Sequence, residues 1–180
     1  MNGKKQAYDN IVDFIKSDDK CLLLTGTHQY EKHKLIMKVI HELCNGSTVL
    51  FRTNGMQNIP NNDFIGFAGI KKVPKAGEFV SIGRNKYSFD SFNSSRTWSN
   101  SSYKYDFAIV YPIDYILRSK HYELLDDVFQ RYIKKVFLVS WTDRVEYDYD
   151  KINISYDRHV LYDAYEEDEA YHNRVLNLME

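Results

Sequence analysis

Cysteine, proline and long apolar runs are all scarce in this chain of 180 residues. The two cysteines, Cys21 and Cys44, have neither the spacing of a metal site nor the density of a disulfide framework. No apolar run is long enough to cross a membrane, and the first residues lead into an amphipathic segment instead of a signal sequence. We therefore expect a cytoplasmic protein that has no membrane partner.

Glycine is also infrequent, with eight residues, and the remaining composition is that of a globular protein. The chain is 43% apolar and 27% charged, and its net charge is −1. A chain of this length forms a single domain by default, so we expect one α/β domain over residues 1–180. The richness in Asn, Lys, Ile and Tyr suggests an AT-rich genome, such as that of a low-GC bacterium or its mobile elements.

Apolar stretches and helical periodicities alternate along the chain. Cys21–Thr25 predicts a strand buried on both faces, and an apolar stripe over 35–43 predicts the helix that follows it. The pattern predicts a three-layer α/β fold, with a mainly parallel sheet of four or five strands and helices on both faces. Further strands are predicted at Ser47–Thr53, Phe107–Tyr111, Lys135–Trp141 and Arg158–Tyr162, and further helices at 5–17, 124–133 and 164–179.

Residues 64–105 depart from this alternation. Glu78–Ile82 and Lys86–Phe92 flank a Gly83-Arg84-Asn85 turn, which predicts a β-hairpin insertion near 64–92. Ser91–Ser102 is polar and unpatterned, so we expect a flexible Ser-rich loop there.

The turn after the first strand carries the pattern Gly26-Thr-His-Gln-Tyr-Glu-Lys32-His33. A strand, a glycine turn and a helix start in this order are typical of a phosphate-binding loop, whose N–H groups and lysine surround an anion. Laid over G-x-x-x-x-G-K-[ST], the pattern keeps Gly26 and Lys32 at their positions. Glu31 replaces the second glycine, and His33 replaces the hydroxyl residue.

On these residues and the order of the later strands, the chain resembles the P-loop NTPase superfamily in a degenerate form. The resemblance implies that ATP or GTP, with Mg²⁺, would be bound by Gly26, Thr27, Lys32 and His33. It also implies an acid at the end of a later strand, which would hold the water shell of the Mg²⁺.

Several residues depart from what this resemblance implies. Glu31 brings a side chain and a negative charge to a position where glycine permits a tight turn. His33 is a poor ligand for Mg²⁺, which prefers oxygen. Tyr111 and Pro112 stand where the acid is expected, and Asp114 is the nearby substitute as a metal residue. We therefore expect a non-hydrolysing or weakly nucleotide-binding regulatory or interaction module.

The charges are distributed unevenly. Residues 65–105 hold seven Lys or Arg and two acids, whereas residues 142–180 hold eleven acids and four Lys or Arg. The alternative function is therefore an accessory factor that binds nucleic acid or an acidic protein partner through 64–105. The two regions could instead face each other within the fold. The candidate contact residues are Lys71, Lys72, Arg84, Lys86, Arg96 and Trp98.

Two other groups of residues suggest metal chemistry. His28, His33 and His41 lie around the first long helix, but no carboxylate or cysteine completes a ligand set, so we expect them to face solvent or cap the helix. Asp148 and Asp150 would point the same way on a strand and could hold Mg²⁺ for a nuclease or phosphotransferase. The simpler interpretation of this second group is a solvated acidic loop.

Overall fold

The computed structural model describes residues 2–152 and 156–180, in which a seven-stranded sheet is the central element. The strands are β1 (Cys21–Thr25), β2 (Thr48–Thr53), β3 (Val80–Ile82), β4 (Asn85–Ser91), β5 (Lys104–Val110), β6 (Tyr132–Val139) and β7 (Arg158–Leu161). The α-helices are α1 (Lys4–Lys16), α2 (Lys32–Leu43), α3 (Ser95–Trp98), α4 (Asp114–Ser119), α5 (Asp126–Gln130) and α6 (Glu169–Met179). None of the helices in these residues has the length and apolar character needed to span a membrane.

The strands lie in the order β3-β4-β2-β5-β6-β1-β7, and all neighbours are parallel except β3 and β4. The expected α/β class and mainly parallel sheet are confirmed, but seven strands replace the predicted four or five. β1 and β2 follow each other in sequence, yet β5 and β6 lie between them in the sheet.

The two additional strands come from the segment in which the sequence predicts a hairpin insertion. β3 and β4 do form an antiparallel hairpin, with Gly83 (φ +57°) and Arg84 in its turn. β4 also pairs in parallel with the whole length of β2, so the hairpin continues the main sheet at its edge. Ser88 and Asp90 are polar but fully buried, so the pattern of apolar residues in β4 does not indicate that this strand is buried.

Two layers of apolar side chains fill the space on either side of the sheet. One layer is packed against α1 and α2 and contains Ala7, Ile11 and Phe14. The other layer lies under α4 and α5 and contains Ile116 and Val128. Helices therefore cover both faces, as the alternation of apolar stretches and helical stripes predicts.

The carboxyl ends of β1, β2, β5 and β6 meet at one edge of the sheet because these strands are parallel. The connection after β1 runs through α2 on one face, whereas the connection after β6 packs Tyr147 and Ile152 against the other face. Neighbouring strands whose connections leave to opposite faces open a crevice at their carboxyl ends, where open α/β sheets bind ligands. This carboxyl edge carries the Gly26 loop, and the candidate site lies there.

Candidate functional site

The loop from Gly26 to Glu31 leaves β1 through a glycine that the packing requires. Gly26 has φ +119°, and a Cβ at this position would lie 2.3 Å from the carbonyl oxygen of Tyr162. Any other residue would clash with the backbone that follows β7 and would also have to adopt a strained conformation. The glycine is therefore explained by close backbone contact within the fold.

Four consecutive N–H groups of this loop already have acceptors within the chain. Gly26 N donates to the carboxylate of Asp143 at 2.6 Å, and Thr27 N donates to the carboxylate of Asp163 at 2.9 Å. The next two amides, those of His28 and Gln29, donate to the Tyr162 carbonyl and the Tyr171 hydroxyl, each at 3.2 Å. The amides that a phosphate would use are thus bonded to two carboxylates and two neutral oxygens.

Lys32 points into the loop and is completely buried. Its Nζ donates to the carbonyl oxygen of Gly26 at 2.5 Å and to that of Trp141 at 3.2 Å. Burial lowers the pKa of Lys32, while the nearby carboxylates of Asp143 and Asp114 act in the opposite direction. The ammonium joins the end of β1 to the end of β6 and is enclosed by the chain itself.

His33 is turned into the core instead of toward the loop. Its Nε2 donates to the Phe64 carbonyl oxygen at 2.8 Å, and its ring stacks on Tyr111 with centroids 4.1 Å apart. Burial lowers the pKa of His33 from 6.5 to about 3, so the ring is neutral at physiological pH. The position that carries a Mg²⁺-binding hydroxyl in the motif holds a buried imidazole here.

Glu31 shows neither of the effects expected from its place in the motif. Its φ of −104° and ψ of −13° are right-handed and open to any residue. Its carboxylate pairs with Lys34 at 3.0 Å, and 41% of its side chain is exposed. The carboxylates that lie against the loop are Asp143 and Asp163, which the motif does not include.

Asp114 lies at the carboxyl edge but is used to hold the turn after β6. Its two oxygens accept hydrogen bonds from Trp141 N at 2.7 Å and Thr142 N at 2.8 Å. Burial raises the pKa of Asp114, and these two backbone donors oppose the rise. Within residues 2–152 and 156–180, no group of three or more His, Cys, Asp or Glu side chains is placed to hold a metal ion.

The acids Asp148 and Asp150 do not share a strand face. Asp148 is the N-cap of a short 3₁₀ helix over Tyr149–Lys151, and its carboxylate accepts from Asp150 N at 3.1 Å. Asp150 accepts a hydrogen bond from the Tyr156 hydroxyl at 3.4 Å. Residues 153–155, which belong to the same acidic connection, lie outside the described residues.

The basic residues of 64–105 are mostly exposed, but they are not all free. Lys71 donates to the carbonyl oxygen of Gly66 at 2.8 Å. The other basic candidates are exposed and form no ion pair among residues 2–152 and 156–180: Lys72, Arg84, Lys86 and Arg96. Arg84 lies in the turn between β3 and β4, at the edge of the sheet.

Trp98 is half-buried and engaged within the fold. Its ring lies 5.1 Å from the guanidinium of Arg52, and its Nε1 donates to the Ser91 carbonyl at 2.5 Å. Arg131 donates to the carbonyl oxygens of Trp98, Ser101 and Ser102 at 2.8–3.1 Å. The segment expected to be a flexible loop forms α3 and is tied to the sheet by these contacts.

The basic residues of the hairpin and the acidic residues around β7 lie at opposite edges of the sheet. The β3–β4 hairpin, with Arg84 and Lys86, is at one end of the strand order and β7 is at the other. Six strand spacings of about 4.8 Å separate the outermost strands by about 29 Å. Arg84 and Lys86 therefore do not face the acidic residues around β7.

The structure also shows a cavity that the sequence did not indicate. Its volume is ≈ 210 Å³, below the range of about 300–1,000 Å³ that is typical of sites for drug-sized ligands. Each chain segment that lines the cavity follows the carboxyl end of a parallel strand. Aromatic residues at such positions are the sequence feature that could have indicated the cavity. The lining residues are Tyr30, Asn54, Asp63, Phe64, Tyr111, Pro112 and Trp141.

No protein-family model matches this chain, and no curated protein matches it at a significant level.

Proposed function

We propose that the chain is a degenerate P-loop-like protein that serves as a binding or regulatory module and does not hydrolyse nucleoside triphosphates. The observation that supports this proposal most directly is the pairing of the Gly26 and Thr27 amides with Asp143 and Asp163. A strand, a glycine turn, an inward lysine and a helix start keep the layout of a phosphate loop. The carboxylates occupy the donors that a phosphate would need.

Competition with these carboxylates makes nucleotide binding weak. An N–H bonded to a carboxylate forms a charge-assisted hydrogen bond, which an incoming phosphate has to replace. A carboxylate about 5 Å from a phosphate oxygen also opposes binding by about 1–3 kcal/mol at an effective dielectric of about 20–60. Removing one carboxylate should therefore strengthen the binding of ATP or GTP about tenfold or more.

The absence of hydrolysis follows from the residues at the positions where Mg²⁺ would be held. His33 is buried and supplies no oxygen ligand, and Tyr111 follows β5 at the position where an acid is expected. Asp114 already caps two backbone N–H groups. A nucleotide held by Gly26, Thr27 and Lys32 would therefore lack protein oxygens that fix its metal.

Calorimetric titration with ATP, GTP and ADP, with and without Mg²⁺, tests this proposal. We expect weak binding by the wild type, binding about tenfold tighter by Asp163→Ala, and no Mg²⁺-dependent phosphate release by either protein. Asp18→Ala is the matched control. Asp18 is an exposed acid that precedes β1, so it lies at the amino ends of the strands and away from the Gly26 loop. Turnover by the wild type, or equal affinities of wild type and Asp163→Ala, would contradict the proposal.

A second candidate function is binding of nucleic acid through the basic edge. It is supported by the exposure of Lys72, Arg84, Lys86 and Arg96, of which Arg84 and Lys86 lie in the hairpin at the edge of the sheet opposite β7. A gel-shift assay at low salt with single- and double-stranded DNA and RNA tests it. We expect a shift that weakens in Arg84→Ala/Lys86→Ala and persists in the control Lys38→Ala, which removes a charge on α2.

A further inference from the structure

The cavity at the carboxyl edge is walled by four aromatic rings. Tyr30 and Trp141 form one pair, with centroids 6.0 Å apart and planes inclined by 57°. Phe64 and Tyr111 form the other, with centroids 5.3 Å apart and planes inclined by 59°. Tyr30, Phe64 and Trp141 are not buried, so their rings can be reached from the cavity.

The back wall of the cavity is held rigidly by the core. Tyr111 is 1% exposed, and its ring stacks on that of His33. Its hydroxyl donates a hydrogen bond to the Gln29 carbonyl at 3.3 Å. His33 is fixed in turn by its hydrogen bond to the Phe64 carbonyl. A cavity whose walls are held in this way needs little reorganisation to receive a ligand.

The polar groups of the cavity carry negative charge. Asp63 is exposed and forms no ion pair within residues 2–152 and 156–180. Together with Asp114, it contributes to raising the pKa of Tyr111 above its ordinary value, after the larger effect of burial. Asn54 completes the polar lining, and its Oδ1 accepts from Thr53 and Asn58.

The chain places no cation of its own on these rings. Among the described residues, the Lys and Arg side chains that lie over aromatic rings contact Phe67, Trp98, Phe14 and Tyr171. Lys32 contacts Trp141 through its carbonyl oxygen. The rings of Tyr30, Phe64 and Trp141, none of which is buried, and the Asp63 carboxylate are thus available to a ligand.

We propose that this aromatic cavity binds a small organic cation of the alkylammonium class. Aromatic faces attract such cations through the ring quadrupole, and Asp63 supplies the countercharge. The volume of ≈ 210 Å³ is below the range of about 300–1,000 Å³ typical of drug-sized ligands, so a whole nucleotide does not fit. An anionic ligand would be repelled by Asp63, and a neutral ligand would gain no attraction from its charge.

Titration of the full chain with choline, followed by calorimetry, tests this inference. The comparison ligand is 3,3-dimethylbutan-1-ol, which has the shape of choline without its charge. We expect choline to bind at least about tenfold more tightly than the alcohol. Equal affinities of the two ligands, or no heat with choline at millimolar concentration, would overturn the inference.

Two variants with matched controls locate the binding. Asp63→Asn and Trp141→Leu should each weaken choline binding about tenfold, whereas Asp18→Asn and Tyr132→Leu should leave it unchanged. Tyr132 is 75% exposed and lies outside the cavity, so Tyr132→Leu removes an aromatic ring from another part of the surface. Unchanged binding by Asp63→Asn would also overturn the inference. Asp63→Asn does not touch the Gly26 loop, so this result is independent of the nucleotide titration.

Discussion

At the scale of single residues, the first two amides of the Gly26 loop are satisfied by partners that lie far away in the sequence. The carboxylates on the Gly26 and Thr27 amides come from 117 and 136 residues further along the chain. His33 is different, because its Nδ1 is buried without a hydrogen-bond partner. Its ring is therefore held in a site that tolerates only the neutral form.

This site makes stability depend on pH in a defined window. The folded-state pKa of His33 is about 3, below the 6.5 of the unfolded chain, so the unfolded state takes up the proton first. The contribution of the neutral ring is complete above about pH 6.5 and is lost as the pH falls toward 3. Between pH 6.5 and 5, the wild type should lose about 1–2 kcal/mol more unfolding free energy than His33→Gln.

Urea denaturation of both proteins at several pH values measures this difference. The slopes against pH are compared, not the absolute stabilities, because His33→Gln also removes the stacking on Tyr111. Parallel slopes for the two proteins would show that His33 is not buried in its neutral form.

At the scale of elements, the outer part of the sheet is joined by a buried ion pair. Arg52 of β2 donates to both oxygens of Asp90 in β4, at 2.7 and 2.8 Å, and both side chains have zero exposure. A third contact joins Arg52 to Asp127 of α5 at 2.7 Å. This cluster attaches β4, α5 and the α3 segment to the centre of the sheet.

Breaking the pair on one side should be costly. Asp90→Ala leaves a buried guanidinium without its bidentate partner, and we expect a loss of about 3–5 kcal/mol in unfolding free energy. The double variant Arg52→Met/Asp90→Leu removes both charges and should lose much less. Lys5→Ala, which removes an exposed pair with Asp9, should cost far less than Asp90→Ala. Equal losses for Asp90→Ala and Lys5→Ala would contradict the role of the pair.

Strands with apolar centres could be predicted from the sequence, whereas the place of β4, which carries the buried Asp90, could not. The sequence predicts Cys21–Thr25 at its observed bounds and Ser47–Thr53 within one residue, because the first is an apolar run and the second has the apolar centre Val49-Leu50-Phe51. β4 carries Asp90 in its interior, so its place beside β2 could be understood only when Arg52 was known to face it. The α6 helix begins at Glu169, later than the predicted 164, because Asp168 caps it by accepting from Tyr171 N.

The candidate site was predictable only in part for a related reason. Gly26 and Lys32 are close in sequence, and their inward position at the end of β1 follows from the strand, turn and helix pattern. Asp143 and Asp163 reach the loop only because β6 and β7 flank β1. No spacing in the sequence encodes that arrangement, and the aromatic cavity depends on the strand order in the same way.

At the scale of the whole molecule, charge is polarised across the sheet. The basic hairpin edge and the acidic β7 edge are about 29 Å apart, which is well beyond the Debye length of about 8 Å at physiological salt. Salt therefore screens the charges of Arg84 and Lys86 from those of the acidic edge.

This polarity sets the salt dependence of the second candidate function. If nucleic acid binds at the hairpin, replacing Arg84 and Lys86 by Ala should reduce the slope of log Kobs against log salt by about 2. Fluorescence anisotropy over a range of salt concentrations measures the slope. An unchanged slope would place any nucleic-acid contact elsewhere on the chain.

The central claim is that Asp163 competes with phosphate for the amide of Thr27, and ¹H–¹⁵N spectra during titration with pyrophosphate test it most directly. We predict that the Thr27 and Gly26 amide signals of Asp163→Ala move at pyrophosphate concentrations about tenfold lower than those of the wild type, with Asp18→Ala matching the wild type. Amide signals that stay in place in all three proteins, or that move at the same concentration, would contradict the account.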